Sequence, residues 1–98
     1  MEYRFANNEL QRLDEDPSYT GRRSQEVVRG FRKLVQMIEA APDERTFYQK
    51  KGLHYEALEG RMAGYRSMRI NDQFRLIVSI EDNPKTMVIH EISDHYHA

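Results

Sequence analysis

The chain has 98 residues, 39% hydrophobic and 32% charged, with a formal net charge of −1 and no cysteine. That length suits one domain, residues 1–98, with a single modest core; the composition excludes a disordered chain, and the lack of cysteine excludes disulfides and thiolate metal sites. No apolar run approaches a membrane span, Met1 to Leu10 lacks a signal-peptide core, and the charge balance excludes a protein that lives on overall basicity toward nucleic acid, so a cytoplasmic location is expected.

In chain order, Glu2-Tyr3-Arg4-Phe5 alternates polar and aromatic residues and predicts a short first strand. Asn7 is placed to cap a short helix in which Leu10 and Leu13 share a face, until Asp16-Pro17-Ser18 breaks it. A longer helix follows. Val27, Phe31, Leu34, Val35 and Ile38 recur at helical spacing, with Ser24 as cap, Pro42 just past the end, and Arg29, Arg32, Lys33 and Gln36 on the opposite side. Asp43 to Tyr48 predicts one further helical turn, and Lys50-Lys51-Gly52 opens a loop.

Beyond Glu56-Ala57-Leu58, Gly60 and Gly64, the hydrophobic period drops to two. Arg66, Met68 and Ile70 share one strand face and Tyr65, Ser67 and Arg69 the other; Asn71-Asp72-Gln73 then supplies a tight turn. Phe74, Leu76, Val78 and Ile80 alternate with Arg75, Ile77 and Ser79, which completes a hairpin. After a turn at Asp82 to Lys85, the β-branched run Thr86 to Ile92 predicts a third strand. The expected fold is α+β: an N-terminal strand and two helices packed on a small antiparallel sheet that ends in a three-strand meander.

Helices on one sheet face leave the other for function. Arg69 and Arg75, on adjacent strands, are candidates for a pair that binds an anion through their forked donors. Exposed strands also carry arginine for solubility and edge protection, and spacing alone does not decide between the two. Lys50, Lys51 and His54 lie just upstream, either widening a basic rim or forming a solvated charge cluster.

The tail "HEISDHYHA" crowds His90, Asp94, His95, Tyr96 and His97 together. Three readings stand: a zinc site, although the histidines lack paired ligand spacing; general acid and base groups; or a frayed polar terminus. With the last strand beside Arg75, tail and arginines would share a groove holding what metal-independent RNA cleavage needs. A base takes the 2′-hydroxyl proton, guanidinium groups stabilise the attacked phosphate, and an acid protonates the leaving oxygen. Glu56 and Glu59 either reach that groove or serve as surface acids.

These residues also carry a resemblance. "YEALEGRMAGYRSMRINDQFRLIV", Tyr55 to Val78, resembles the central motif of HigB-type toxins, the plasmid-maintenance killer branch of the RelE superfamily. The matching pieces are Glu56-Ala57-Leu58, Gly60, Arg61 to Gly64, Ser67 to Asp72, and Phe74-Arg75, where family members have a tryptophan-arginine pair. The resemblance implies a RelE-like fold and the toxin of a type II toxin–antitoxin module, a ribosome-dependent endoribonuclease (mRNA interferase) that inhibits translation. It implies no cofactor, and a cognate antitoxin from an adjacent gene, of helix-turn-helix type, through which alone operator DNA is met. Carried over by position, Arg75 stabilises the scissile phosphate, and Asp94, His95, Tyr96 and His97 supply the proton-transfer groups. "DHYH" holds one residue more than the family's aspartate-tyrosine-histidine ending, so two registers remain. Lys50, Lys51, Arg61, Arg66 and Arg69 form the candidate RNA-binding set. Glu56 and Glu59 stand where some members have histidine and lysine, and with the acidic balance they motivate an alternative: an antitoxin-binding module of this fold with weak or no catalysis.

Overall fold

In the computed structural model, which describes residues 1–94, β1 (Glu2–Phe5) leads into α1 (Asn8–Glu15), α2 (Gln25–Ala40) and a short α3 (Arg45–Gln49). A two-residue β2 (Glu56–Ala57) then precedes β3 (Tyr65–Arg69), β4 (Arg75–Glu81) and β5 (Thr86–Ser93). The capping residues act as the sequence predicts. Asn7 Oδ1 accepts the Leu10 N–H at 2.9 Å, and Ser24 Oγ accepts that of Val27 at 3.2 Å, each satisfying a donor that has no partner within its helix.

The strands form one sheet in the order β1-β5-β4-β3-β2. The β3–β4–β5 meander is antiparallel as expected, while β1 pairs with β5 in parallel, so the whole sheet is mixed. Parallel neighbours need a long crossover, and here everything between the two strands supplies it: Glu2 pairs with Thr86. β2 extends the other edge through Glu56↔Ser67 and Ala57↔Arg66.

One sheet face is covered by helices. Met68, Leu76, Val78, Met87 and Ile89 meet Leu10, Leu13, Phe31 and Ile38 there, all 1% exposed or less. Fully burying side chains such as Phe31 or Ile38 contributes about 1.5–3 kcal/mol each. Arg32, expected on the solvent side of α2, is half-buried instead. Its Nε donates to the Leu13 carbonyl at 3.0 Å, and its Nη2 to those of Asp16 and Tyr19 at 3.0 and 3.2 Å, so it ties α2 to the last turn of α1 and the loop that follows it.

A bulge in β5 shapes the uncovered face. Ile77 pairs with Glu91 but Val78 with Ile89, so His90 is an extra residue in the ladder. Asn7 Nδ2 donates to its carbonyl at 3.1 Å, tying the start of α1 to the bulge.

Candidate active site

The β3–β4 turn sets the geometry of the uncovered face. Asn71 Oδ1 accepts the N–H groups of Gln73 and Phe74 at 2.9 and 2.8 Å, an Asx-type turn that places Arg69 opposite Arg75 and Ser67 opposite Ile77. Alternation then brings Ser67, Arg69 and Arg75 to the side away from the helices.

Arg75 is on the expected face but, unlike a surface arginine, it is only 7% exposed. Its Nε donates to Ser67 Oγ at 2.8 Å; its Nη2 donates to the Ser67 carbonyl at 3.4 Å and to the carbonyl of His54. His54 sits in the left-handed region, φ 49°, at the end of a 3₁₀ turn (Lys51–Leu53), and that segment closes against the guanidinium. Every one of these acceptors is neutral, and Arg75 makes no ion pair among the described residues. Burial accordingly lowers its pKa, with the Glu56 charge opposing and Arg69 reinforcing the shift. Two nitrogens are anchored while Nη1 takes no acceptor among the described residues, so the group is oriented with no carboxylate in direct contact among them, Glu56 acting on it only through its field.

The other candidates sit at different distances along the strands, Glu59 and Arg61 beyond the Tyr65 end of β3 and Arg69 directly across from Arg75. Arg69 pairs with the exposed Asp72 at 2.5 Å, and Lys50 and Lys51 are exposed on the segment that ends at His54. Glu56 lies opposite Ser67 on β2; Glu59 and Arg61 are exposed on the turn beyond it. Ser93 pairs with Arg75, so Asp94 follows directly from the residue across the ladder. His95, Tyr96 and His97 lie outside the described residues.

Arg66 does not join the group. Its strand parity sends it to the opposite side, where its Nε is 2.8 Å from Glu44 Oε2, a contact of charge rather than of aligned hydrogen bonding. Burial alone would lower its pKa, yet hydrogen bonding to Tyr48 and the charge of Glu44 leave it raised. Tyr55 donates to the same carboxylate at 2.7 Å, and burial with that bond raises the Tyr55 pKa.

His90 projects from the bulge onto the uncovered face. Its Nε2 is 2.7 Å from Ser79 Oγ, and its ring meets Tyr65 edge-on with centroids 4.9 Å apart. Burial lowers its pKa, and Arg4 adds to that effect. Ser67, the His54 carbonyl and Ser79 are not among the groups that the sequence marks for the site. Strand parity alone was a signal for Ser67, two positions before Arg69; nothing local signals the carbonyl.

Residues 3–95 match the model of a family described as RelE-like toxin of type II toxin-antitoxin system HigB. A YoeB/ParE toxin from Agrobacterium tumefaciens superposes with a TM-score of 0.61 at 18% identity, covering 98% of this chain and 100% of that one. The YoeB dimer from Staphylococcus aureus gives 0.57 at 21% identity over 98% of both chains, and the YoeB-YefM complex from the same organism gives the same values. The likeness to these structures is one of fold. No curated protein matches the sequence. No helix among the described residues is long and apolar enough to cross a membrane.

Proposed function

Since this chain belongs to the RelE-like HigB toxins of type II toxin–antitoxin systems, we propose that its uncovered sheet face cleaves messenger RNA on the ribosome, in the cytoplasm. The carrying observation is Arg75: a guanidinium held in place by hydroxyl and carbonyl acceptors, its charge left for an anion, across the ladder from the start of the tail.

The chemistry needs no metal. A tail base, among Asp94, His95, Tyr96 and His97, removes the 2′-hydroxyl proton, and the oxygen attacks the adjacent phosphorus. The bond to the 5′-oxygen breaks, a tail acid protonates that oxygen, and a 2′,3′-cyclic phosphate remains. Arg75 offers Nη1 to the phosphoryl oxygens as charge builds, a preorganised donor in a partly dry site. Lys50, Lys51, Arg61 and Arg69 hold the flanking backbone, where each neutralised phosphate adds salt-sensitive affinity.

The partner is a cognate antitoxin. A second reading, an antitoxin-binding module with little or no cleavage, draws support from the near-complete burial of Arg75. Expression of the protein alone separates them. The nuclease reading expects growth arrest with cuts in ribosome-bound messages, relieved by Arg75→Ala and by co-expression of the antitoxin. Normal growth with soluble wild-type protein that still binds its antitoxin would establish the second reading.

A further inference from the structure

Around the end of β3 the sheet face gives way to a groove of about 570 Å³, walled by α2, the segment 50–53 and the last residues of the strand. Gly30 brings these walls together. A Cβ there would stand 2.8 Å from Ile70 Cγ2, so a larger residue would push α2 away from the end of the sheet. Glycine inside a helix costs roughly 1 kcal/mol against alanine, which close packing here offsets. One turn further along, Lys33 reaches the groove, where Lys50 and Arg69 also line it.

The lining includes no carboxylate, in a protein whose formal net charge is −1. Lys33 and Lys50 are exposed and form no ion pair among the described residues, and the carboxylate that Arg69 pairs with among them is the exposed Asp72. Cations grouped in a concave, partly apolar setting raise the local concentration of anions. Beneath them Met37 and Ile70, half-buried, and Leu53, buried, offer an apolar floor. A flat apolar ring and an anionic group on one ligand would satisfy both parts, and the volume lies within the roughly 300–1,000 Å³ of ligand clefts.

We propose that this groove holds one nucleotide of the RNA strand beside the scissile phosphate, its base on Met37 and Ile70 and its phosphate on Lys33, Lys50 and Arg69. This rests on the RNA-cleavage reading above. Continuity with the site favours RNA over a docked peptide: Arg69 lines the groove and is also the direct cross-strand partner of Arg75. The segment that bears Lys50 likewise ends at His54, whose carbonyl holds Arg75. A strand leaving Arg75 therefore meets Arg69 next and then the groove. Lys33, some 40 residues from Arg75 in sequence, becomes a substrate-positioning residue on the helix layer.

The test is single-turnover cleavage on programmed ribosomes across a range of toxin concentrations. Lys33→Ala is expected to raise the half-saturating concentration about 3- to 10-fold, with the rate at saturation within about twofold of wild type. Lys33→Arg restores binding, and Arg29→Ala, which removes an exposed α2 cation outside the groove, leaves it unchanged. Wild-type cleavage with Lys33→Ala indistinguishable from it overturns the groove and spares the nuclease reading. An equal loss in Arg29→Ala, or a Lys33→Ala defect confined to antitoxin binding, also overturns it, in favour of diffuse helix charge or a peptide surface respectively. A wild type that cuts nothing overturns the nuclease reading, and the groove proposal falls with it.

Discussion

Arg66 and Arg75 stand on adjacent strands of one hairpin and face opposite sides of it, and the fold treats them differently. On the helix side, Arg66 meets the carboxylate of Glu44, with side chains 28% and 14% exposed, and Tyr55 adds its hydroxyl to the same oxygen. That cluster ties α3 to β3 and neutralises its own charge. On the uncovered side, Arg75 is more deeply buried yet, among the described residues, it hydrogen-bonds a hydroxyl and carbonyls and pairs with no carboxylate, and its pKa is lowered where that of Arg66 is raised. Hydrogen bonding orients a guanidinium; only an opposite charge neutralises it. A buried cation without that compensation carries a desolvation cost that an anionic ligand can offset.

The largest effect should come from Arg75. Arg75→Ala is expected to lower the single-turnover cleavage rate at least about 100-fold, in line with loss of a donor to a developing oxyanion. Arg75→Lys should recover only a part, because a single ammonium cannot hold the Ser67 and His54 anchors and face the phosphate as well. Breaking the other side moves stability instead. Glu44→Gln leaves Arg66 unpaired and weakens the Tyr55 bond, so thermal melts should show a loss of about 1–3 kcal/mol with cleavage by the folded protein little changed.

Ser67→Ala tests orientation apart from charge. It removes the acceptor for Arg75 Nε and should cost about 1 kcal/mol in denaturant melts. Cleavage should fall roughly 10-fold, short of the 10²-fold that a full ångström of misplacement can cost. The smallest effect concerns His90. Burial holds its folded pKa below the ordinary value, so the unfolded chain takes up a proton first as pH falls through about 6.5. The stability that neutral His90 contributes is complete above that pH and is lost progressively below it, down to the folded value. His90→Gln should flatten that part of the stability curve measured between pH 7.5 and 5.

These outcomes bear on what a sequence displays. The spacing of Val27 through Ile38 and the two-residue period on either side of Asn71 name α2 and the hairpin because each pattern is local. The parallel β1–β5 pair leaves no local trace, since the partners lie at opposite ends of the chain. Neither does the bulge: Met87, Ile89 and Ile92 change parity at His90 only when read against β4. Parity puts Arg75 on the uncovered face and Arg66 with Met68 and Ile70 on the other, while the motif counts Arg66 among the RNA-binding candidates, and its contact with Glu44 goes against that candidacy. Burial of the first and neutralisation of the second depend on His54 and Glu44, which reach them from distant segments. A charge is visible in a sequence, but its compensation is a tertiary property.

The contrast between compensated and uncompensated arginine is tested most directly by running Arg66→Ala beside Arg75→Ala in one cleavage assay on programmed ribosomes, at a temperature where circular dichroism shows both folded. The structure predicts that Arg66→Ala stays within about threefold of wild type while Arg75→Ala falls at least about 100-fold. Equal losses in the two variants, or a larger loss in Arg66→Ala, would contradict it.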